Sequence, residues 1–198
     1  MKATFAERDS MLLSPRFEAA FTYAAHLHRA QVRKGNGAPY ITHLMAVAAL
    51  VGECTQEEDW IIAALLHDAV EDQGGLSTLA EIRERFGESV AELVLGCSDT
   101  WTQPKPPWRE RKERYIAALE AAPQGVVVIS CADKLHNLRS IEGEYLSTGE
   151  DLWTSFRGQR SGTCWYFRSL AAVYARRQVP ARLLHPLQHT MARVFGDE

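Results

Sequence analysis

The chain has 198 residues, of which 46% are hydrophobic and 24% charged, and it carries a formal net charge of −3. This length suits one globular domain with a substantial core, so we expect residues 1–198 to form a single domain. The slightly acidic balance, with a pI near 6.2, excludes the basic surface by which proteins bind a nucleic acid polymer. It does not exclude a local basic patch that holds a small anionic substrate.

Neither a membrane segment nor a secretion signal is expected. No apolar run approaches the roughly 20 residues that a membrane span needs, and the N-terminus carries Glu7 and Asp9 without an apolar stretch. The cysteines at 54, 97, 131 and 164 lie far apart and form no paired zinc motif. We therefore expect a cytoplasmic protein with reduced thiols. The oligomeric state stays open between monomer and homodimer.

Apolar residues recur every three or four positions along most of the chain, and this period is typical of helices. The pattern predicts an all-α bundle of eight to ten helices, the first over residues 15–30. Residues 60–70 are almost all apolar and are predicted as one buried helix. Residues 126–129 have strand propensity, but the apolar pattern continues beyond them and favours a helix. The proline-rich stretch 99–107 is predicted as a loop, and 143–162 as irregular or only briefly helical.

His67 and Asp68 stand inside the most apolar of the predicted helices. A buried carboxylate is costly unless it is paired or bound to a metal ion. On a continuous helix, Glu71 and Asp72 would follow one turn later on the same face, so that an imidazole and several carboxylates converge. A cation would relieve the repulsion among them. The alternative is that the acidic residues lie solvated at the helix end, with His67 as a core histidine.

Two further residues strengthen the interpretation as a metal site. His43 follows a loop rich in Gly and Pro, and Asp133 enters another apolar run. Each alone is more typical of a surface residue, or of a carboxylate that pairs with a neighbour such as Lys134. Together with His67 and Asp68 they form a mixed imidazole and carboxylate set, which suits Mn, Fe, Co, Ni or Zn without choosing among them.

The order His, His-Asp, Asp resembles the metal signature of the HD-domain phosphohydrolases. The surrounding motifs are similar to the hydrolase domain of the RelA/SpoT-type alarmone enzymes, namely HxxQxRKG over 28–35, GxPYIxH over 37–43, ALLHDxxED over 64–72, FG at 86–87 and ADKLHNLR over 132–139. The similarity extends from about residue 17 to 142 and includes the Glu71-Asp72 pair, which a generic HD protein need not carry. It implies an HD-domain helical bundle and a stand-alone small alarmone hydrolase, without room for a synthetase or regulatory domain.

The resemblance also implies roles for individual residues. One Mn²⁺ would be held by His43, His67, Asp68 and Asp133, with other divalent transition metals still open. Glu71 and Asp72 would orient the attacking water or accept its proton. The reaction would release pyrophosphate from the ribose 3′ position of (p)ppGpp or (p)ppApp. Substrate contacts are expected from cationic, aromatic and polar side chains near these groups, namely Arg33, Lys34, Tyr40, Arg109, Lys112, Asn137 and Ser140.

Two other functions are compatible with the same residues. One is a different HD-type enzyme, such as a nucleotidase or a cyclic-nucleotide phosphodiesterase, against which the Glu71-Asp72 pair and the Arg33-Lys34 loop argue. The other is a catalytically silent metal-binding domain that senses nucleotides, against which the intact ligand set argues. The choice between guanine and adenine is left open, because no residue in the motifs distinguishes the two bases.

Overall fold

The computed structural model describes residues 13–102 and 104–196. These residues form ten α-helices and one 3-10 helix. The only β-type pairing among the described residues is an isolated bridge between Val32 and Pro39. The helices are α1 Pro15–Leu27, α2 Ile41–Gly52, α3 Glu58–Leu66, α4 Ala69–Asp72, α5 Leu76–Phe86, α6 Glu88–Cys97, α7 Trp108–Leu119, α8 Gln124–Thr148, α9 Gln159–Arg176 and α10 Ala181–Phe195, with the 3-10 helix at Gly149–Ser155. The predicted all-α class is confirmed. None of the described helices combines the length and the apolar character needed to cross a bilayer.

Helix α8 is the central element of the bundle. It packs against α2, α3, α6, α9 and α10, and every residue from 125 to 133 is buried. A helix that is apolar around its whole circumference must be enclosed by others, which explains why this segment is helical despite its run of β-branched residues at 126–129. The enclosure also brings the side chain of Asp133 into the interior.

The predicted helix over residues 60–70 is interrupted in the structure. Helix α3 ends at Leu66, His67 and Asp68 form a turn, and α4 begins at Ala69. The side chain of His67 contacts the carbonyl oxygen of Ala64 through Nδ1 at 2.8 Å. In a continuous helix that oxygen accepts from the backbone N–H of Asp68, so the imidazole competes with the helix at this point. The prediction of one unbroken helix is therefore wrong at the His-Asp doublet.

The prediction of an irregular segment over 143–162 is also wrong. Helix α8 continues to Thr148, where Gly149 ends it with a positive φ of 62°, and the 3-10 helix follows directly. The indole of Trp153 in that helix is buried against Phe195, with ring centroids 5.6 Å apart. Packing against α10 thus orders a stretch whose polar sequence carries little helical periodicity.

Close packing around Gly125 gives a prediction about stability. A Cβ at Gly125 would lie 2.7 Å from Cδ2 of Leu93 and 2.9 Å from the indole of Trp60, whereas a Cβ at Gly143 would meet nothing within 4 Å. We expect Gly125→Ala to lower the free energy of unfolding by about 1–3 kcal/mol through overpacking. Gly143→Ala, on the exposed middle of the same helix, should raise it by up to about 1 kcal/mol.

Urea unfolding of the two variants measures both effects. A Gly125→Ala protein as stable as the parent chain would show that the Trp60 and Leu93 side chains move aside without cost.

Candidate metal centre and adjoining pocket

Four predicted ligands meet where α2, the turn between α3 and α4, and α8 come together. Nε2 of His43 lies 3.2 Å from Oδ1 of Asp133 and 3.6 Å from Oδ2 of Asp68. Nε2 of His67 lies 3.1 Å from Oδ2 of Asp68 and 3.7 Å from Oδ1 of Asp133. The structure therefore gathers all four side chains around one point, although they come from three separate parts of the chain.

The two imidazoles are buried with their Nε2 atoms unpaired. The His43 and His67 side chains are 1% and 2% exposed, and neither Nε2 has a hydrogen-bond partner among the described residues. Buried polar atoms are seldom left without a partner. One ligand atom each from His43, His67 and Asp133 lies within 4.8 Å of the others, and Asp68 adds a carboxylate oxygen on the same side. This donor set fits a divalent metal ion.

The other ring nitrogen of each histidine is occupied. Nδ1 of His67 faces the carbonyl of Ala64, which can only accept, so in the neutral ring this nitrogen carries the hydrogen and Nε2 has the lone pair. Nδ1 of His43 lies 2.8 Å from Nδ1 of His136. Burial, together with the neighbouring His43 and Arg33, lowers the pKa of His136 to about 4, so this ring is neutral and can accept. The hydrogen-bond partners thus direct the lone pairs of both ligands at the metal position.

Hydrogen bonds also orient the two carboxylates. The phenol of Tyr40 donates to Oδ2 of Asp68 at 2.6 Å. Asn137 donates to Oδ1 of Asp133 at 2.5 Å, and the ammonium of Lys134 bonds Oδ2 of the same carboxylate. Sequence reasoning treated Lys134 only as an alternative partner for Asp133, whereas the structure shows an ion pair inside the candidate site.

Without a metal ion, the charges of the centre stabilise one another. Burial by itself would raise the pKa of Asp133 and Asp68, but the two imidazoles hold the pKa of both carboxyl groups well below the usual range, and Lys134 adds to this effect at Asp133. Burial likewise opposes protonation of His67, and the two carboxylates outweigh it, so the pKa of this imidazole lies well above its ordinary value. A metal ion must therefore displace a proton to bind.

Glu71 and Asp72, the predicted acid pair, form hydrogen bonds with different partners. Glu71 accepts from Nζ of Lys105 at 2.9 Å and from the backbone N–H of Asp99 at 3.4 Å. Asp72 instead accepts from Nε2 of Gln31 at 2.8 Å. Burial raises the pKa of both carboxyl groups. The charge of Asp68 also raises the pKa of both groups, so the acid pair lies beside the doublet although the helix is interrupted before it.

A buried ion cluster holds the loop that carries Lys105. Asp99, at the start of the loop, accepts from Arg111 at 2.6 Å and from Lys112 at 2.7 Å, and the guanidinium of Arg111 also donates to the carbonyl of Pro106 at 3.2 Å. Arg111 thereby ties both ends of the loop to α7. The sequence motifs do not indicate this role. Its signal in the sequence is that Arg111, a charged residue, occupies a core position of the helical pattern.

A pocket of about 430 Å³ opens beside the metal centre. Six of the seven predicted substrate contacts line it together with Asp72, and the six are Arg33, Lys34, Tyr40, Lys112, Asn137 and Ser140. The seventh, Arg109, is not among the lining residues. Its guanidinium lies 3.3 Å above the ring of Trp165 and pairs with Glu113. The lining also contains residues that were not among the predicted substrate contacts, namely Lys134, Trp108, Phe156, Arg157 and Tyr166.

Comparisons with known proteins agree with this geometry. The HD-domain family model matches residues 20–164. Mouse MESH1, a guanosine-3′,5′-bis(diphosphate) 3′-pyrophosphohydrolase, is 39% identical over 125 residues, or 62% of this chain and 67% of MESH1. The bifunctional (p)ppGpp synthase/hydrolase SpoT of Escherichia coli is 36% identical over 132 residues, or 64% of this chain and 18% of SpoT. A solved structure of a metazoan ortholog of SpoT, described as hydrolysing ppGpp, superposes with a TM-score of 0.75 at 29% identity, covering 93% of this chain and 98% of the other.

The chain belongs to the HD-domain family. Within that family its relatives are ppGpp hydrolases of the SpoT and MESH1 type, which confirms the resemblance seen in the sequence motifs. The chain spans only a small part of the long bacterial relatives, such as 16% of the probable GTP pyrophosphokinase of Mycobacterium leprae. The similarity to those proteins therefore concerns one domain of each.

The ion pair between Asp133 and Lys134 predicts unequal costs for removing the two carboxylates. Asp133→Ala leaves the ammonium of Lys134, whose side chain is 16% exposed, without its partner, which should lower the free energy of unfolding by at most about 3–5 kcal/mol. Asp68→Ala should cost less, because His67 can lose its proton when its partner is gone. Both variants should fail to retain a metal ion.

Urea unfolding in the presence of a chelator measures the loss of stability. Metal analysis of the purified variants measures whether they retain a metal ion. Equal losses of stability would contradict the assignment of Lys134 as a buried counterion of Asp133.

The raised pKa of His67 predicts that metal affinity increases with pH. A proton on this imidazole at neutral pH must leave before Nε2 can bind the ion, so affinity should rise between about pH 6 and 8. Calorimetric titration with Mn²⁺ in buffers of different ionisation enthalpy measures the proton release directly. An affinity that does not change over this range would show that His67 is already neutral in the metal-free protein.

Proposed function

We propose that this chain hydrolyses alarmone nucleotides, (p)ppGpp and/or (p)ppApp, at the ribose 3′ position with one bound Mn²⁺. The proposal rests on one observation, which is that a candidate metal site and a cationic pocket lie next to each other. His43, His67 and Asp133 lie within reach of a single ion with Asp68 beside them, and this cluster adjoins a pocket whose lining is rich in Arg and Lys side chains. The activities of the related proteins MESH1 and SpoT support the choice of substrate.

The pocket suits an anionic nucleotide. Lys34 and Lys112 line it, with the ammonium of Lys112 paired to Asp99, and Arg33 is held by a hydrogen bond from its guanidinium to Oγ of Ser140 at 3.1 Å. Fixed cations stabilise the charge that develops during phosphoryl transfer, since they need not reorganise. The aromatic rings of Trp108 and Tyr166 give the same pocket an apolar wall that can accept a nucleoside.

In the proposed reaction, the oxygen of a water molecule bonds to the phosphorus attached to the ribose 3′ oxygen. The bond from that phosphorus to the 3′ oxygen breaks, and the products are pyrophosphate and a 3′-hydroxyl. A bound divalent ion would polarise a phosphate oxygen and lower the pKa of the attacking water. Asp72 lines the pocket and can accept the proton of this water. Glu71 lies beside it and holds Lys105 close to the developing charge.

Mn²⁺ is proposed from the resemblance, since the donor set accepts several ions. Two nitrogen and two oxygen ligands would also accommodate Fe, Co, Ni or Zn. We also propose that residues 1–198 form one HD-type domain, which is supported by the packing of the described helices around α8. A cytoplasmic location is supported by the four cysteines, all of them free thiols.

Incubation with Mn²⁺ and each of ppGpp, ppApp and 2′,3′-cyclic AMP, followed by chromatography of the products, tests the proposal. We expect pyrophosphate from at least one of the first two nucleotides, and no turnover with Asp68→Ala. The relative rates on ppGpp and ppApp decide the preferred base.

Turnover of the cyclic nucleotide alone would identify a phosphodiesterase. Tight metal binding without any turnover would identify a nucleotide sensor. Either result rejects the proposed activity.

A further inference from the structure

The side-chain amide of Gln31 is held at both ends. Its Oε1 accepts from Nε2 of Gln73 at 2.5 Å and lies 2.7 Å from Nδ1 of His28. Its Nε2 donates to Oδ2 of Asp72 at 2.8 Å. An ionised carboxylate can only accept hydrogen bonds, so the amide must present its nitrogen to Asp72. This orientation in turn requires Nδ1 of His28 to carry a hydrogen.

The backbone of Gln31 is fixed as well. Its N–H donates to the carbonyl of His28 at 2.9 Å, and its carbonyl accepts from the N–H of Tyr40 at 3.0 Å. The ring of His28 stacks on that of Tyr40, with centroids 5.2 Å apart. Gln31 therefore extends toward Asp72 from a segment that is tied down by main-chain and ring contacts.

The bond from Gln31 leaves one oxygen of Asp72 available. Among the described residues, Oδ1 of Asp72 has no hydrogen-bond or ion-pair partner, while Oδ2 is held by the amide. Both Gln31 and Asp72 line the pocket. Glu71 differs, because Lys105 and Asp99 engage both of its oxygens. Only Asp72 of the acid pair thus offers a free carboxylate oxygen to the pocket.

We propose that Gln31 is a positioning residue that aims Oδ1 of Asp72 at the attacking water, with Gln73 and His28 fixing the direction of the amide. This inference rests on the proposed hydrolysis. In that step the water proton moves to Oδ1 as the oxygen bonds to phosphorus, and the ribose 3′ oxygen takes up a proton from solvent as its bond to phosphorus breaks. Gln31 acts through Asp72 and exchanges no proton itself.

Replacement of glutamines by methionine tests the inference, because methionine has a similar length and cannot donate. Gln31→Met should lower kcat on ppGpp about tenfold or more, as expected when a general base is misplaced, and should leave KM within about twofold. Gln73→Met, whose side chain contacts Gln31 but does not itself line the pocket, should lower kcat less. The double variant should be no slower than Gln31→Met alone, because both changes act through one bond.

Gln124→Met is the matched control. Its amide donates to the carbonyl of Arg177 at 3.1 Å on the protein surface, and Gln124 does not line the pocket. We therefore expect kcat and KM to stay unchanged. Thermal unfolding of each variant shows whether it is folded. A Gln31→Met protein with unchanged kcat and raised KM would overturn the inference, since Gln31 would then bind the substrate. Additive losses in the double variant would overturn it too.

A measurement without turnover separates this inference from the proposed function. If the parent chain hydrolyses no alarmone, the function fails, and the NMR signals of the Gln31 side-chain amide still report its bond to Asp72. Those signals, assigned by their loss in Gln31→Met, should shift in both Asp72→Asn and Gln73→Met. Signals that stay unchanged in both variants would overturn the inference whatever the activity.

Discussion

The need for a positive charge between two buried imidazoles and two carboxylates constrains this fold more than any other interaction. His43 comes from α2, His67 and Asp68 from the turn between α3 and α4, and Asp133 from α8, and each would be an unfavourable core residue by itself. Their convergence is possible because α2, α3 and α8 pack tightly on one another. Lone pairs and carboxylate oxygens then face a common point, and the surrounding apolar side chains keep water from satisfying them.

The segment between α1 and α2 organises the acidic side chains around this point. From one side of it, the Tyr40 phenol holds Asp68, a ligand of the candidate centre. From the other, the Gln31 amide holds Asp72, the proposed proton acceptor. The two hydrogen-bonding residues are connected through His28, whose ring stacks on that of Tyr40 and contacts the amide of Gln31. This loop, rich in Gly and Pro, thus contacts both the candidate metal ligand Asp68 and the proposed base Asp72 through side-chain hydrogen bonds.

The sequence predicted the helical class and the identity of the clustered residues, because charged groups in apolar runs are conspicuous and the motifs around them are specific. It did not predict the break at His67, since competition between a side chain and the backbone for the Ala64 carbonyl depends on where the imidazole must point. It also could not separate Arg109 from Lys112. Both lie on α7, and only the packing of α9 against that helix decides that Lys112 faces the pocket while Arg109 stacks on Trp165.

The ion pair of Lys134 with Asp133 has a consequence for the order in which the site is assembled. In the metal-free protein the charges of the two carboxylates are balanced by this ammonium and by the proton on His67. A divalent cation that replaces the proton raises the local charge by only one unit, so loading disturbs the interior little. The centre nevertheless changes from neutral to cationic. A nucleotide that arrives after the cation is therefore held more strongly than one that arrives before it, when only the Arg and Lys side chains of the pocket attract its phosphates.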